Sequence, residues 1–383
     1  MNNITTSRVA VITSCLKGRT IAFEWIATGL RELGFQVLVL NIDNGQPSAF
    51  EDYMSKLEGV QYKKVQYEGR SKAETLKVIL KVYRELRKFK ADVINTHYVD
   101  ANLVGLLAGK MAGVRKRIYT RHTTTQHYRF ESHKVNVNKL FNKISTHIIA
   151  ISDVVESVLQ YIEHVPATKI IKIHHGFDFT KFQNISLSRI ESIRRKYGIP
   201  DGVPVIGAIS RFDEWKGVEY IVEGFKNLLR DFPNAFLVLA NAGGVRYNVI
   251  KDLLSELPDK SYCEIKYEND VFALLKTFTV FVHVPIDHEI EAYGQVYIEA
   301  MAASVPMVCT LSGVANEYIK DGENAIVVNY KDAGGIYQGV KKLIQYPELI
   351  PLLTTNAQRD IQARFSKDIM INKLSKAFSK KDD

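Results

Sequence analysis

Short apolar runs alternate with longer amphipathic segments along the whole chain. In the first half, apolar runs rich in β-branched residues predict buried strands at Arg8–Thr13, Gln36–Leu40, Asp92–Asn95, Arg117–Thr120 and His147–Ile151. Segments with helical spacing of apolar residues fall between most of these runs, for example residues 21–33 and 102–112. Short apolar strands separated by helices are typical of βαβ units, so we expect a parallel sheet.

The second half of the chain repeats this scheme. Its predicted strands are Val205–Ile209, Phe236–Leu239, Val280–Val284, Met307–Cys309 and Ala325–Val328, and the pattern beyond Tyr330 is helical to Phe378. A polar segment at 179–204 separates the two halves. The fold class that follows is α/β, with two Rossmann-like doubly wound domains facing across a cleft, at residues 1–190 and 191–364. In such domains ligands bind at the carboxyl ends of the strands.

Composition agrees with a two-domain globular protein. The 383 residues exceed the usual size of one domain, and 46% of them are apolar. The three cysteines, Cys15, Cys263 and Cys309, are odd in number and widely spaced, which argues against a disulfide framework and fits a reducing compartment. The chain has no run of apolar residues long enough to span a membrane, and residues 1–18 are too polar for a signal peptide. We therefore expect a cytoplasmic protein.

The formal charge of +9 suits a protein whose ligands carry phosphates. One basic segment, residues 76–90, has helical periodicity. Its predicted apolar face comprises Leu76, Ile79, Leu80 and Tyr83, and its predicted cationic face comprises Lys77, Lys81, Arg84 and Lys88. The pattern favours an ordinary packed helix with a solvated charged face. The alternative is a helix that contacts an anionic membrane surface.

A loop after the first strand of the second half offers two cations. The strand ends at Ser210, the next helix begins about Gly217, and Arg211 and Lys216 lie between them. An arginine fork and a lysine point charge at the carboxyl end of a strand can clamp a diphosphate. For each residue taken alone, a solvated loop charge is the alternative.

The segment from Glu289 to Pro306 predicts an anion site. We expect its helix to start near Tyr293, which would put Gly294, Gln295 and Val296 in the first turn with free backbone amides. Glu291, before the helix, would reach a bound sugar; Glu299, farther along, would hold ribose hydroxyls. The alternatives are a carboxylate that only offsets the helix dipole for Glu291 and a surface charge for Glu299. Because the helix is mostly apolar, a carboxylate on it needs partners.

The run from Glu291 to Val308 closely resembles the signature of retaining GT-B glycosyltransferases of family 4. In that family two glutamates eight positions apart flank an aromatic-glycine step and lead into an Ala-Met-Ala helix and a proline. Three further segments resemble the family in the same order, so that the resemblance covers essentially the whole chain: Ser210–Gly217, His174–Asp178 and Gly313–Gly322.

The resemblance implies a set of roles. Arg211 and Lys216 would hold the diphosphate, Glu299 the ribose, and Glu291 with the backbone of Gly294, Gln295 and Val296 the donor sugar and phosphate. In the first domain, His122 would lie near the reacting face of the sugar, with a capping or core histidine as the alternative. His97 resembles a frequent family position but is interpreted as a packing residue. Gly18 would be the remnant of a glycine pair that contacts phosphate.

Two more family features bear on this chain. The resemblance implies that a helix at about 365–383 crosses back onto the N-terminal domain. Residues 240–244 depart from the family's Gly-acid-Gly step, which lies near the nucleotide base in relatives, so base preference is not carried over.

The predicted function is that of a retaining, metal-independent glycosyltransferase. Its donor would be a nucleotide-diphosphate sugar, with a UDP-sugar favoured and a GDP-sugar as the alternative, and no other cofactor is expected. The acceptor would be a hydroxyl of a glycan or lipid-linked molecule in surface polysaccharide or glycolipid synthesis, which allows peripheral contact with the inner face of the cell membrane. No motif for binding nucleic acid is present. Two alternatives stay open: a sugar-nucleotide epimerase of the same architecture, and a non-catalytic basic membrane-binding protein.

Overall fold

The computed structural model describes residues 7–14, 20–69, 71–130, 132 and 135–379. The chain forms two compact units. Unit 1 comprises Met1–Phe177 together with Phe365–Asp383, and unit 2 comprises Asp178–Arg364.

Within its described residues, unit 1 has a parallel sheet of seven strands in the order β3-β2-β1-β4-β5-β6-β7. The strands are β1 Arg8–Ser14, β2 Gln36–Asp43, β3 Val60–Gln66, β4 Val93–His97, β5 Lys116–Arg121, β6 His147–Ala150 and β7 Ile170–Lys172. The helices of this unit before residue 178 are α1 Ile21–Glu32, α2 Ala49–Ser55, α3 Lys72–Phe89, α4 Val99–Met111, α5 Gln126–Arg129, α6 Val135–Ile144 and α7 Asp153–Ser157, which a π-helical turn extends to Ile162. The strand order reverses between β1 and β4, as in doubly wound folds.

Unit 2 repeats this architecture with six described parallel strands in the order β10-β9-β8-β11-β12-β13. The strands are β8 Val205–Ile209, β9 Phe236–Ala240, β10 Tyr262–Ile265, β11 Val280–His283, β12 Met307–Cys309 and β13 Ile326–Val327. The helices are α8 Leu187–Tyr197, α9 Val218–Leu228, α10 Tyr247–Leu254, α11 Val271–Leu275, α12 Gln295–Ala302, α13 Ala333–Gln345 and α14 Leu349–Phe365; α15 Lys367–Phe378 follows and belongs to unit 1. Here the order reverses between β8 and β11.

The ten predicted strands are all present, and the predicted α/β class with two doubly wound parallel sheets is confirmed. Sequence reasoning missed three strands, β3, β7 and β10. All three are edge strands, and most of their residues are only partly buried, so they lack the continuous apolar run of a central strand.

The first unit ends before the predicted boundary at residue 190, which falls inside α8. This helix packs on unit 2 because its polar side chains bond there. Arg189 pairs with Asp270 at 2.7 Å, and an Arg194 guanidinium nitrogen donates to the Thr277 carbonyl at 3.3 Å. The helix is therefore part of unit 2 rather than the end of unit 1.

The C-terminal segment returns to unit 1. The Phe177 amide donates to the Phe365 carbonyl at 2.8 Å, and the Lys367 amide donates to the Phe177 carbonyl at 2.9 Å. A Cβ on Gly176 would stand 2.8 Å from the Lys367 Cα, so glycine permits this close approach. The apolar side chains of α15 join the core of unit 1: Met370, Ile371, Leu374 and Phe378.

The basic helix α3 buries a different face from the one predicted. Its packed residues are Val78, Ile79, Val82, Leu86 and Phe89. Leu76 and Leu80 lie off this stripe, with 56% and 37% of their surface exposed. The predicted apolar face was therefore wrong for these two leucines, which are exposed on the same helix as the exposed Lys77 and Lys81. No described helix has the length and apolar character needed to cross a membrane.

Candidate active site

Lys216 and Glu291 form an ion pair at the carboxyl edge of the unit 2 sheet. Lys216 lies in the loop after β8, and Glu291 lies in the loop after β11. The two strands are neighbours at the point where the strand order reverses, which opens a crevice in doubly wound sheets. The Lys216 ammonium donates directly to Glu291 Oε1, so two of the residues predicted from separate motifs meet here.

The environment keeps Glu291 ionised. Burial opposes its negative charge, but the adjacent Lys216 outweighs burial, and the pKa of the Glu291 carboxyl lies below its ordinary value. His283 Nε2 stands 3.9 Å from Glu291 Oε1, beyond hydrogen-bond distance. Burial foremost, and the nearby Lys216 charge, lower the pKa of His283 to about 3, so this imidazole is neutral. The backbone of Glu291 is fixed because its amide donates to Ser312 Oγ at 3.3 Å.

Helix α12 begins at Gln295 rather than near Tyr293, with Gly294 as its N-cap. Gly294 has φ +83°, and a Cβ there would stand 2.7 Å from the Tyr297 ring, so only glycine fits without strain. The Tyr297 amide bonds the Gly294 carbonyl at 3.2 Å. The amides of Gln295 and Val296 precede it in the first turn, where a helix lacks internal acceptors and can receive an anion.

Glu299 lies on α12 among the buried residues Tyr297, Ile298 and Ala300. Its own side chain is half-buried, and no described group forms a hydrogen bond or ion pair with its carboxylate. Burial raises the pKa of Glu299 to about 7. A half-buried carboxylate without a protein partner is suited to a ligand that brings hydrogen-bond donors, such as a pair of hydroxyl groups.

The raised pKa of Glu299 predicts a pH effect. Because folding disfavours its carboxylate, its contribution to stability is present below pH about 4.5 and is lost as pH rises to about 7. The hydroxyls of a nucleotide-sugar, the ligand that the sequence predicts, would stabilise the carboxylate, so we expect such a ligand to raise the melting temperature more at pH 8 than at pH 6. Glu299→Gln should abolish this difference between pH 8 and pH 6. An unchanged difference in that variant would contradict the role of Glu299 in binding ligand hydroxyls.

Arg211 does not join the Lys216–Glu291 pair. Its side chain is 66% exposed, and its Nε lies 3.2 Å from Oδ2 of the buried Asp213. Asp213 also accepts the Val245 amide at 3.4 Å and so ties two loops together. No sequence pattern singled out Asp213, because a single carboxylate in a loop has many uses.

Arg211 borders an open pocket of about 700 Å³ at the carboxyl ends of β8, β9 and β10. The other lining residues are Asn241, Ala242, Gly243, Gly244, Tyr247 and Lys266. This set includes residues 241–244, from the segment where the chain departs from the family pattern. A Cβ on Gly244 would stand 2.5 Å from the Phe212 carbonyl oxygen, so glycine is required for the close approach of these two loops.

The remaining predicted site residues belong to unit 1. His122 follows β5, is half-buried, and its Nε2 lies 3.1 Å from Nδ1 of His97. His97 is therefore more than a packing residue, since it bonds the predicted site histidine. Gly18 lies outside the described residues. The described residues contain no group of three or more His, Cys, Asp or Glu side chains that could hold a metal ion.

Comparison with known proteins places the chain in a family. The model of glycosyl transferases group 1 matches residues 189–360, and that of glycosyltransferase family 4 matches residues 25–181. The capsular polysaccharide biosynthesis glycosyltransferase CapM of Staphylococcus aureus is 26% identical over 79% of this chain and 80% of its own length. The alpha-monoglucosyldiacylglycerol synthase of Acholeplasma laidlawii is 25% identical over 78% of this chain and 80% of its own length.

Among solved structures, Anabaena Alr3699/HepE in complex with UDP and glucose superposes with a TM-score of 0.80 and 19% identity, covering 96% of this chain and 98% of that one. Two doubly wound units of this kind define the GT-B fold. The chain belongs to the group 1 glycosyltransferases, with a family 4 N-terminal half.

Proposed function

We propose that this glycosyltransferase is a retaining, metal-independent enzyme that moves a sugar from a nucleotide-diphosphate sugar to a hydroxyl of a glycan or lipid-linked acceptor. The observation that carries the proposal is the Lys216–Glu291 pair beside the first turn of α12, at the strand-order reversal of unit 2. Surface polysaccharide or glycolipid synthesis is the proposed setting, since the two sequence relatives act in capsule and glycolipid synthesis by their names.

The proposed chemistry is electrostatic. As the bond between the sugar's anomeric carbon and the diphosphate oxygen breaks, negative charge develops on the leaving diphosphate. Lys216 and the amides of Gln295 and Val296 supply fixed positive groups that stabilise this charge. Arg211 can add two parallel guanidinium hydrogen bonds to the diphosphate if its side chain turns away from Asp213. The acceptor oxygen forms a bond to the anomeric carbon, and its proton passes to an oxygen of the departing diphosphate. These groups supply the positive charge that a metal ion provides in other sugar-nucleotide enzymes, which supports metal independence.

Glu299 and Glu291 would bind different parts of the sugar-nucleotide donor. Glu299 has no described protein partner and would accept hydrogen bonds from the ribose hydroxyls. Glu291, kept ionised by Lys216, would accept hydroxyls of the transferred sugar. A UDP-sugar is the favoured donor and a GDP-sugar the alternative; the Anabaena protein that shares the fold was captured with UDP and glucose.

The test is a thermal-shift screen of the purified chain with UDP-, GDP- and ADP-sugars, because a ligand that binds only the folded state raises the melting temperature. The sugar-nucleotide that raises the melting temperature most is then incubated with extracts that contain glycan or lipid-linked acceptors, with and without EDTA. Proton NMR determines the anomeric configuration of the product. We expect transfer with retention and no effect of EDTA. Formation of an epimer from donor alone would favour an epimerase, and loss of transfer in EDTA would refute metal independence.

Peripheral contact with an anionic membrane is the second part of the proposal. The exposed face of α3 carries Leu76 and Leu80 between cations, a combination that suits the interface of an anionic bilayer. The exposed cations of this helix are Lys72, Lys77, Lys81, Arg84, Arg87 and Lys88. A membrane-bound enzyme would meet lipid-linked acceptors directly.

Vesicle flotation tests this contact. We expect the protein to float with vesicles containing anionic lipid and not with neutral ones. The double variant Leu76→Ser, Leu80→Ser should bind about tenfold more weakly, because two leucine side chains that insert partly into the bilayer contribute about 1 kcal/mol or less each. Leu187→Ser, at a leucine 75% exposed in unit 2, is the matched control and should bind like the wild type. Equal recovery with both kinds of vesicle would refute the contact.

A further inference from the structure

A cluster of aromatic and amide side chains surrounds His122 at the carboxyl edge of the unit 1 sheet. His97 is the last residue of β4, and His122 follows the last residue of the neighbouring strand β5. His97 Nδ1 lies 3.1 Å from His122 Nε2, and His97 Nε2 lies 2.8 Å from Asn95 Oδ1. The three side chains thus form a continuous hydrogen-bonded row.

The amide of Asn95 determines where the protons of this row lie. Asn95 Nδ2 donates to Thr120 Oγ1 at 3.1 Å, which leaves Asn95 Oδ1 as the acceptor for His97. His97 Nε2 must therefore carry a proton, because a lone pair on an unprotonated Nε2 would repel the lone pairs of Asn95 Oδ1. A neutral imidazole has only one N–H, so His97 Nδ1 is an acceptor and His122 Nε2 is the donor to it.

Both imidazoles are neutral near pH 7. Burial, with the neighbouring His175 as a second cause, lowers the pKa of His97 to about 3 and holds the pKa of His122 well below its ordinary value. With its single proton on Nε2, His122 has an unprotonated Nδ1. No described group forms a hydrogen bond with that Nδ1.

Ring contacts fix the orientation of His122. The Tyr98 ring stacks on it with centroids 4.9 Å apart and planes 24° apart, and the His175 ring lies 5.4 Å away with planes 6° apart. Tyr98 has φ +69° and ψ 163°, a backbone conformation that costs a bulky residue free energy. Such strain persists where the surrounding structure requires the conformation, and here it places the Tyr98 ring on His122.

We infer that Asn95 and His97 are positioning residues that hold His122 with Nε2 protonated and Nδ1 bare. His122 can then only accept a hydrogen bond from a ligand. It would recognise a hydroxyl group, such as one of the transferred sugar or of the acceptor, and would disfavour a phosphate or carboxylate oxygen. This inference rests on the proposed function for the nature of the hydroxyl, but the proton positions follow from the row itself.

Three substitutions at His97 separate its two bonds. His97→Asn puts an amide oxygen close to the position of Nδ1 and keeps an acceptor for His122. His97→Gln reaches towards Asn95 and loses the acceptor for His122, and His97→Leu loses both bonds. The control is His164→Asn, an exposed histidine of unit 1 whose φ of +55° asparagine also adopts.

We expect His97→Asn and His164→Asn to keep kcat within a few-fold of the wild type. His97→Gln and His97→Leu should lower kcat by about 10²-fold, since a displaced reactive-site group has an effect of this size. The KM for the donor should change little, because the nucleotide is held by unit 2. Wild-type kcat in His97→Gln and His97→Leu, or an equal loss in all three His97 variants at unchanged melting temperature, would overturn the inference.

A second measurement does not depend on activity or on the variants. Nitrogen-15 NMR of histidine-labelled wild-type protein near pH 7 reports which ring nitrogen of each imidazole is protonated. Signals of His97 and His122 that show protonated Nε2 and bare Nδ1 support the row, and the opposite tautomer in either residue overturns it. If no donor is turned over by the wild type, the proposed function fails while this measurement still decides the proton positions.

Discussion

Lys216→Ala should lower kcat by about 10²- to 10³-fold, because in the proposed mechanism it removes a fixed positive group that stabilises the charge on the leaving diphosphate. Glu291 is only 8% exposed, and the same change leaves its buried carboxylate without a cation. The unpaired charge should also reduce the free energy of unfolding by up to about 3 kcal/mol. Steady-state kinetics with the preferred donor and thermal melting measure the two effects on the same sample.

A double variant separates these effects. In Lys216→Ala, Glu291→Gln the buried carboxylate is gone, so stability should recover towards that of the wild type while kcat stays low. Lys226→Ala, in an exposed ion pair with Glu256 of the same unit, is the control and should leave both quantities nearly unchanged. Donor cleavage by Lys216→Ala at the wild-type rate would refute the role of Lys216 at the diphosphate.

Gly217→Ala should be the most destabilising single-methyl change at the site. Gly217 has φ +66°, and a Cβ there would stand 2.2 Å from the carbonyl oxygen of Val284, a backbone atom that cannot rotate away. The left-handed conformation costs about 1–2 kcal/mol for alanine, and the clash should bring the total loss of unfolding free energy to about 4 kcal/mol or more. Because Gly217 follows Lys216 directly, any folded variant should also turn over donor more slowly.

Gly198→Ala is a matched control for the clash. Gly198 has φ +63°, and a Cβ there would meet no atom within 4 Å. Gly198→Ala should reduce the free energy of unfolding only by the cost of the left-handed conformation, about 1–2 kcal/mol. Chemical denaturation of both variants measures the difference, and equal losses would show that the contact with Val284 does not constrain the loop.

The sequence predicted the central strands, and it singled out Lys216 and Glu291, which the structure brings together. Runs such as Val205–Ile209 are buried on both faces, so their apolar character is unbroken and easy to recognise. The segment from Glu291 to Glu299 is dense in residues with restricted roles, among them Gly294, whose positive φ excludes other side chains. Strands β3, β7 and β10 escaped prediction because most of their residues are only partly buried, so no continuous apolar run marks them.

Contacts between distant parts of the chain decided the rest. Arg211 and Lys216 look equivalent in the sequence, but the fold pairs Lys216 with Glu291 and Arg211 with Asp213. The helical period alone did not place Leu76 and Leu80, because the direction from which the sheet and α4 approach α3 determines which stripe is buried.

His97 also shows the difference between what the sequence predicts and what the tertiary structure decides. The sequence located it after a strand, where it resembles a packing residue, and the register of β4 against β5 brings it to His122. Local patterns therefore determined which elements form and which residues are candidates for binding a sugar-nucleotide. Only the tertiary structure determined that Lys216 meets Glu291 and that His97 meets His122, because these partners are far apart in the chain and come together through strand pairing.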